Sequence, residues 1–348
     1  MGEHGGFEDP EAPARRDAVR EFWSWWETDA ARRITQGAEG YAEDYIKQLS
    51  RRISRIDPGL AWELGPGTRA EHELVIFPDS PEHAALARRV LKAAPPPDQH
   101  WEYADARQAA ARFEDLTLGV GGEDFAGEDF RVGLMRNRYS VDISVYHPKL
   151  GRIPADKRQV PVAIMLDHAI GQQDVSAWIG IIEPVLQPHP GDIPLSELPA
   201  VVQQLRAGAL DGHGEPIWEE LHGRSIEDRP IAAYVQVPLV PAFWPDFDQH
   251  VAVQLGYAQV LADGLPGEDS GRRLQAMEQA LADAINGNGR LVAAETTDGR
   301  RVLHFYVDST TSAGWDLEAA AAAWEEGQTG VGAELDPGWS GVNHLRIR

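Results

Sequence analysis

The chain has 348 residues, of which 43% are hydrophobic and 25% are charged, and it contains no cysteine. This is the composition of a folded globular protein long enough for two domains, and the lack of cysteine excludes disulfides, thiolate metal sites and cysteine nucleophiles. The 32 Lys and Arg residues are outnumbered by 55 Asp and Glu residues, and the net charge of −23 argues against a nucleic-acid partner, because phosphate neutralisation supplies most non-specific affinity.

The N-terminal residues do not form a basic segment followed by an apolar core, as a secretory signal would. No apolar run approaches the ~20 residues that a membrane-spanning helix needs. We therefore expect a cytoplasmic protein with no membrane partner.

The first 240 residues predict a short tail and one α+β domain. Residues 1–13 are polar and rich in Gly, Pro and Glu, which predicts a disordered tail, and residues 14–240 form the domain. The apolar run 160–167 predicts a strand that is buried on both faces, and residues 208–230 predict a loop. Further segments predict helices (14–36, 39–54, 82–94, 171–179, 195–207) and strands (60–65, 71–77, 100–105, 116–120, 130–136, 140–147, 230–239).

Three tryptophans, Trp23, Trp25 and Trp26, lie close together in the first predicted helix. Core packing explains them most simply, because aromatic side chains bury a large apolar area. An exposed patch that binds a protein partner is the alternative.

Residues 241–348 predict a second domain with a regular pattern. The order is β-α-β-β-α-β, which is typical of the ferredoxin-like fold, with two helices packed on one face of a four-stranded sheet. The whole chain is thus expected to be α+β, with two domains and antiparallel or mixed sheets. The predicted elements are strand 249–257, helix 265–287, hairpin 290–308, helix 315–327 and strand 331–335.

Several short motifs in this region resemble a known family. They are a strand ending in GY (256–257), an LP pair (265–266), ME in the helix (277–278), ETTDGRRVLHFYVD (295–308) and DPGW (336–339). Over residues 248–340 the chain resembles an uncharacterised bacterial family, domain of unknown function 695. The family in turn resembles the fold of a bacterial ribonuclease E regulator that acts by binding the enzyme. The resemblance implies no catalytic residues.

The hairpin has two different faces. A two-residue Asp-Gly turn pairs Thr297 with Arg300, and alternation then places Leu303, Phe305 and Val307 in the core. The opposite, open face is predicted to carry a polar and aromatic platform, and we interpret it as a binding platform for a protein partner of unknown identity. Its residues are His250, Gln254, Glu295, His304, Tyr306 and Asp308.

Two simpler explanations of this platform remain open. A sheet face exposed to water is polar by default, or the N-terminal domain could cover the face and satisfy its polar groups. The favoured function is non-catalytic partner binding or regulation, with no cofactor and with the oligomeric state left open.

A metal-dependent hydrolase is the alternative function. His147, Asp167 and His168 follow two apolar segments, and two imidazoles with one carboxylate could hold a divalent ion. No local spacing supports such a site. The sequence also lacks a P-loop, a G-x-S-x-G elbow, an H-E-x-x-H motif and an EF-hand loop.

Overall fold

The structure is a computed structural model that describes residues 12–36, 42–225 and 228–347. It separates into two compact units. One unit comprises residues 216–346 with residues 81–86 and 12–16, and the other comprises residues 17–80, 87–215 and Ile347. The predicted tail lies outside the described residues up to residue 11, and a helix begins at Ala12.

Residues 12–209 form an α+β arrangement, as the sequence predicts. The helices are α1 (Ala12–Trp25), α2 (Ala31–Thr35), α3 (Ala42–Ile56), α4 (Ala84–Lys92), α5 (Gln159–Ile170), α6 (Gln172–Trp178) and α7 (Leu198–Ala209). The strands are β1 (Leu60–Pro66), β2 (His72–Pro78), β3 (Trp101–Ala104), β4 (Thr117–Val120), β5 (Glu123–Ala126), β6 (Arg131–Arg136), β7 (Val141–Tyr146), β8 (Ile179–Val185) and β9 (Ile193–Pro194).

These strands form three small sheets with the orders β1-β2-β3, β4-β5 and β8-β7-β6-β9. The pairs β2–β3 and β7–β8 are parallel and the other pairs are antiparallel, so the sheets are mixed. None of the described helices combines the length and the apolar character needed to cross a membrane.

Two secondary-structure predictions in this region are wrong. Residues 160–167 form part of helix α5 rather than a buried strand. A short, nearly continuous apolar run has no clear periodicity, so it fits a strand or a helix equally well. The predicted loop 208–230 contains a strand at Ile217–Arg224, in which Trp218, Glu220, His222 and Arg224 are exposed and four of the eight residues are charged or polar.

The tryptophan cluster packs into the core of its own unit. Trp23 and Trp26 are buried, and their indole N–H groups donate hydrogen bonds to the Val90 carbonyl at 2.9 Å and to the Tyr103 hydroxyl at 3.1 Å. Trp25 is half-buried and lies beneath the Arg52 guanidinium. These contacts agree with the core-packing interpretation.

The C-terminal unit contains one six-stranded sheet with the order β10-β11-β13-β14-β12-β15. The predicted order β-α-β-β-α-β is present between residues 249 and 335, but β10 and β11 enlarge the expected four-stranded sheet. The predicted boundary at residues 240/241 therefore falls between two strands of one sheet. The elements are β10 (Ile217–Arg224), β11 (Pro230–Val237), β12 (Gln249–Gly256), α8 (Glu268–Ala284), β13 (Gly289–Thr297), β14 (Arg300–Val307), α9 (Ala313–Ala321) and β15 (Thr329–Leu335).

The helices α8 and α9 cover one face of this sheet. Leu274 and Leu281 of α8 and Leu317 of α9 pack against buried strand residues, as expected for apolar stripes on amphipathic helices. The predicted core residues Leu303, Phe305 and Val307 are part of this cluster, together with Val251, Val253 and Leu255 of β12.

The hairpin register is correct near the turn and changes farther away. Asp298 and Gly299 adopt positive φ angles, as a two-residue hairpin turn requires, and Thr297 pairs with Arg300. Uninterrupted pairing from the turn would place Leu291 opposite Tyr306. A β-bulge between Leu291 and Ala293 shifts the register by one residue, so that Leu291 pairs with Phe305 instead. Leu291 consequently packs against the core.

Two glycines of this unit are expected to respond oppositely to replacement by alanine. A Cβ at residue 289 would lie 2.4 Å from a Val307 side-chain carbon and 2.8 Å from the Tyr306 carbonyl oxygen, so Gly289→Ala forces the paired backbone apart. We expect a loss of about 1–3 kcal/mol in the free energy of unfolding.

The matched control is Gly271→Ala in α8, where a Cβ meets no atom within 4 Å. This change should stabilise the protein by about 0.5–1 kcal/mol, because alanine restricts the unfolded chain and favours the helix. Urea denaturation of both variants gives the comparison, and a destabilisation of equal size in both would contradict the steric argument.

Candidate functional site

Four aromatic rings form a continuous stack on the sheet face opposite the helices. Trp339 stacks on Tyr306 with ring centroids 4.2 Å apart, Tyr306 on His250 at 5.0 Å, and His250 on His304 at 5.2 Å. The interplanar angles are 19°, 22° and 10°. All four side chains are buried.

Strand pairing explains how three of these rings come together. Antiparallel pairing of β12 and β14 places His250 opposite Tyr306 and Ala252 opposite His304. Residues that face each other across a pair project from the same side of the sheet. The small side chain of Ala252 leaves room for the His304 ring to approach that of His250.

Hydrogen bonds connect the two histidines to a carboxylate. His250 Nε2 lies 3.0 Å from His304 Nδ1, and His304 Nε2 lies 3.1 Å from Glu295 Oε1. An ionised carboxylate only accepts hydrogen bonds, so we assign the His304 proton to Nε2, and neutral His304 then accepts from His250 Nε2. His344 Nε2 also contacts Glu295 Oε1, at 2.8 Å.

At its other end, this series of hydrogen-bonded side chains reaches the surface at Glu334. Its carboxylate oxygen lies 3.5 Å from His250 Nδ1, and the Glu334 side chain is 65% exposed. Burial and the neighbouring His304 lower the pKa of His250 below its usual value, although Glu334 acts in the opposite direction. A proton taken up by His250 would therefore sit on Nδ1 and face Glu334.

Glu295 remains ionised between its two histidine partners. Burial alone would raise the pKa of Glu295, but the hydrogen bonds from His304 and His344 outweigh it, and the resulting pKa is lowered. The carboxylate therefore fixes the orientation of both imidazoles.

Residues 336–346, which we call the C-terminal segment, cover the stack. Asp336 holds this segment, because its carboxylate accepts hydrogen bonds from Tyr306 Oη at 2.6 Å, from the Ser340 N–H and hydroxyl and from the Gly341 N–H. Burial would raise the pKa of Asp336, but these donors lower it. The pKa of Tyr306 is raised by burial and by its hydrogen bond to Asp336.

Two backbone features fit the C-terminal segment to the rings. A Cβ on Gly341 would lie 2.7 Å from His250 Nδ1, so a larger residue could not pack there without displacing the imidazole. Trp339 has a φ of 56°, in the left-handed region that non-glycine residues seldom adopt. Its indole N–H donates to the Phe247 carbonyl at 2.9 Å, which fixes the ring over Tyr306.

The structure brings four of the six predicted platform residues together: His250, Glu295, His304 and Tyr306. Gln254 is exposed farther along β12, and Asp308 instead accepts hydrogen bonds from Thr310 in the turn after β14. The expectation that this face is open is wrong, because the C-terminal segment covers it. Sequence analysis missed the contributions of Asp336, Trp339, Gly341 and His344, although the DPGW motif marks the start of the covering segment.

Two residues of the metal hypothesis have other contacts, and the third, His168, is half-buried in α5. Asp167 pairs with Arg107 at 3.0 Å, while His147 is buried between Phe125 and Phe130. Within residues 12–36, 42–225 and 228–347, no three His, Asp or Glu side chains are placed so as to hold a metal ion.

A second feature of this unit is β15, which among the described residues pairs with β12 alone and so forms one edge of the sheet. Six of its seven residues are exposed, and it lies at the end of the strand order. The Asp336 N–H donates to the Asp248 carbonyl, and the Gly256 N–H donates to the Gln328 carbonyl, on either side of the strand. Hydrogen-bonded and non-hydrogen-bonded pairs alternate along an antiparallel ladder, so these two bonds fix Gly330, Gly332 and Glu334 as the residues whose peptide groups point toward β12. The peptide groups of Thr329, Val331, Ala333 and Leu335 therefore point outward, away from β12.

These two features have different chemical capabilities. The line from Glu334 through His250 and His304 to Glu295 can hold or transfer a proton, but its imidazoles and Tyr306 are enclosed by the C-terminal segment. The outward peptide groups of β15 are exposed and can form backbone hydrogen bonds with another chain.

Removal of the Tyr306 hydroxyl should loosen the C-terminal segment. Tyr306→Phe keeps the ring stack but deletes a hydrogen bond to a charged acceptor, which is worth about 1.5–3 kcal/mol. We expect faster hydrogen exchange in residues 336–346, measured by mass spectrometry. Tyr257→Phe is the control, because that buried hydroxyl donates to the neutral Gly264 carbonyl; equal exchange of the segment in both variants would refute the role of Asp336.

Acidification should also loosen this segment. The groups that face His250 are His304, Tyr306, Glu334 and Asp336. The pKa of His250 is lowered from 6.5 in the folded protein, so unfolding or opening takes up a proton, and stability is lost as the pH falls below 6.5. Glu295 and Asp336 have lowered pKa values too, but their contributions are lost only below 4.5 and 3.8, respectively.

Between pH 7.5 and 5.5 we therefore expect opening of residues 336–346 to increase, by up to about tenfold per pH unit. Hydrogen exchange corrected for the intrinsic rate measures this opening. His250→Gln keeps a donor toward His304 but does not titrate, so its segment should be insensitive to pH over this range. The same pH response in wild type and variant would exclude His250 as the titrating group.

Comparison with known proteins adds a family match to these observations. No curated protein matches the chain. The C-terminal region, residues 218–345, matches the model of a family of unknown function, DUF695.

Proposed function

We propose that residues 216–346 form a non-catalytic binding module that receives an extended segment of a partner protein as an additional strand next to β15. The observation that carries this proposal is the exposed edge of β15, where four residues direct their peptide groups away from β12. An extended peptide gains main-chain hydrogen bonds when it pairs with such an edge.

The two edge strands of this sheet differ in how strongly their side chains discourage pairing with another chain. The other edge strand, β10, carries Glu219, Glu220, His222 and Arg224, and charged residues discourage pairing with another chain. The sequence of β15, TGVGAEL, has one charged residue and neither lysine nor proline. This difference supports β15 as the edge that accepts a partner.

The ring stack supports this role by fixing the end of β15. Asp336 follows the strand directly and is held by Tyr306, and Glu334 faces His250. A strand edge that is already ordered loses less conformational entropy when it binds a peptide. We assign the polar cluster to this structural task rather than to catalysis, because its reactive atoms are enclosed.

Other expectations fit the same proposal. We interpret residues 249–335 as a ferredoxin-like core enlarged by β10 and β11, in a cytoplasmic protein. By analogy, the resemblance to the fold of a ribonuclease regulator that acts by binding agrees with a binding role. The metal-dependent hydrolase is not proposed, because His147, Asp167 and His168 do not form a metal-binding group.

The test uses proline to block the edge. Ala333→Pro removes an outward N–H but leaves the hydrogen bonds to β12, since proline is tolerated on edge strands. Ala333→Val is the matched control that keeps the N–H. Tagged wild-type protein and both variants are incubated with extract of the native cells, and the captured partner is then purified and added back for hydrogen exchange.

We expect the wild type and Ala333→Val to retain one protein that Ala333→Pro loses. The purified partner should slow exchange at the amides of Thr329, Val331, Ala333 and Leu335. Equal retention by all three proteins, or no slowing at β15, would overturn the proposal. A dimer of the chain alone that Ala333→Pro abolishes would also overturn it, because a second copy would then occupy the edge.

A further inference from the structure

The chemistry of the segment that binds β15 can be inferred from the two sides of this strand, and this inference rests on the proposed function. Residues that pair across β12 and β15 lie on the same side of the sheet, and the register assigns each side chain. The two sides present different surfaces to an incoming strand.

The side that carries the helices is apolar. Val331, Ala333 and Leu335 face Val253, Val251 and Gln249, respectively, and Leu335 is 42% exposed. Helix α9 packs on both β12 and β15, and its Trp315 is 57% exposed. A strand added to this edge would therefore place alternate side chains beside apolar groups.

The opposite side has almost no side chains along the edge. It carries Gly330, Gly332 and Glu334, which pair with Gln254, Ala252 and His250. A Cβ added to Gly332 would meet no atom within 4 Å, so the space beside it is open. Long side chains of an incoming strand can lie across these glycines and reach the Glu334 carboxylate.

Charge determines which long side chains fit. The one charged residue of β15, Glu334, is acidic, and its side chain is 65% exposed. The strand itself, TGVGAEL, carries no lysine or arginine that would repel a basic partner. Opposite charge favours association and suppresses wrong partners. A second copy of β15 would instead bring another carboxylate, its own Glu334, to this edge.

We infer that the partner segment is a basic strand in which lysine or arginine alternates with apolar residues. Its basic side chains lie over Gly330 and Gly332 toward Glu334, and its apolar side chains lie on the side of Leu335 and Trp315. The alternation follows from the period of two in a β-strand.

Three synthetic heptapeptides test this inference, each with blocked ends and the length of β15. One alternates lysine and valine (KVKVKVK), one has the same composition in two blocks (KKKKVVV), and one alternates threonine and valine (TVTVTVT). Binding is measured by isothermal titration to the full chain, at low and moderate salt, with wild type, Ala333→Val, Ala333→Pro and Glu334→Gln.

We expect the alternating lysine peptide to bind the wild type and Ala333→Val, and to bind Ala333→Pro at least tenfold more weakly. Glu334→Gln should weaken it severalfold, and so should added salt, because screening reduces the attraction between exposed charges. The block peptide and the threonine peptide should bind at least tenfold more weakly than the alternating lysine peptide.

Other outcomes separate this inference from the proposed function. Equal binding of the lysine and threonine peptides, both sensitive to Ala333→Pro, would overturn the basic preference but support strand addition. Equal binding of the alternating and block peptides would overturn the alternation. If Ala333→Pro does not affect binding of the lysine peptide, both strand addition and the inferred basic segment are overturned. If the lysine peptide does not bind at all, the inferred basic segment is overturned, but strand addition by a different segment is not.

Discussion

The stack of Trp339, Tyr306, His250 and His304 organises the C-terminal unit. Three of its rings come from two neighbouring strands, while the fourth comes from the segment that follows the last strand. The polar atoms of His304 and Tyr306 are satisfied by the carboxylates of Glu295 and Asp336, and the Trp339 N–H donates to the Phe247 carbonyl. Burying polar groups is tolerable only when each finds a partner, so the carboxylates and the rings depend on one another.

This arrangement separates a closed sheet face from an open sheet edge. The face is filled by residues 336–346 of the same chain, so its histidines and tyrosine serve to hold a segment in place. The edge next to that segment keeps outward peptide groups on four residues of β15. A small sheet protein can in this way use one surface for its own stability and keep an adjacent one for recognition, because backbone and side-chain contacts lie in different directions.

The sequence predicts much of this unit, for identifiable reasons. Alternation with a period of two places Leu303 and Phe305 in the core and His304 and Tyr306 on the other face, and the Asp-Gly turn fixes the register beside it. The covering of that face could not be predicted, because residues 336–346 have no helical or strand period. The run 160–167 predicts a strand although it forms part of α5, because a short continuous apolar run fits either element. Strand β10 is missed because its charged residues are typical of a loop.

The β-bulge at Val292 makes this hairpin sensitive to sequence length. Val292 is a single extra residue between Leu291 and Ala293, and it turns Leu291 toward the core while Arg290 pairs with Tyr306. The Arg290 guanidinium lies over the Trp244 ring at 3.8 Å from the ring centre. Deletion of one residue here would leave the turn and the polar cluster in register. It would, however, turn each side chain of residues 289–291 to the opposite face of the sheet. Homologous chains that keep this geometry should therefore vary in the identity of the bulged residue rather than in the number of residues between the end of α8 and the Asp-Gly turn.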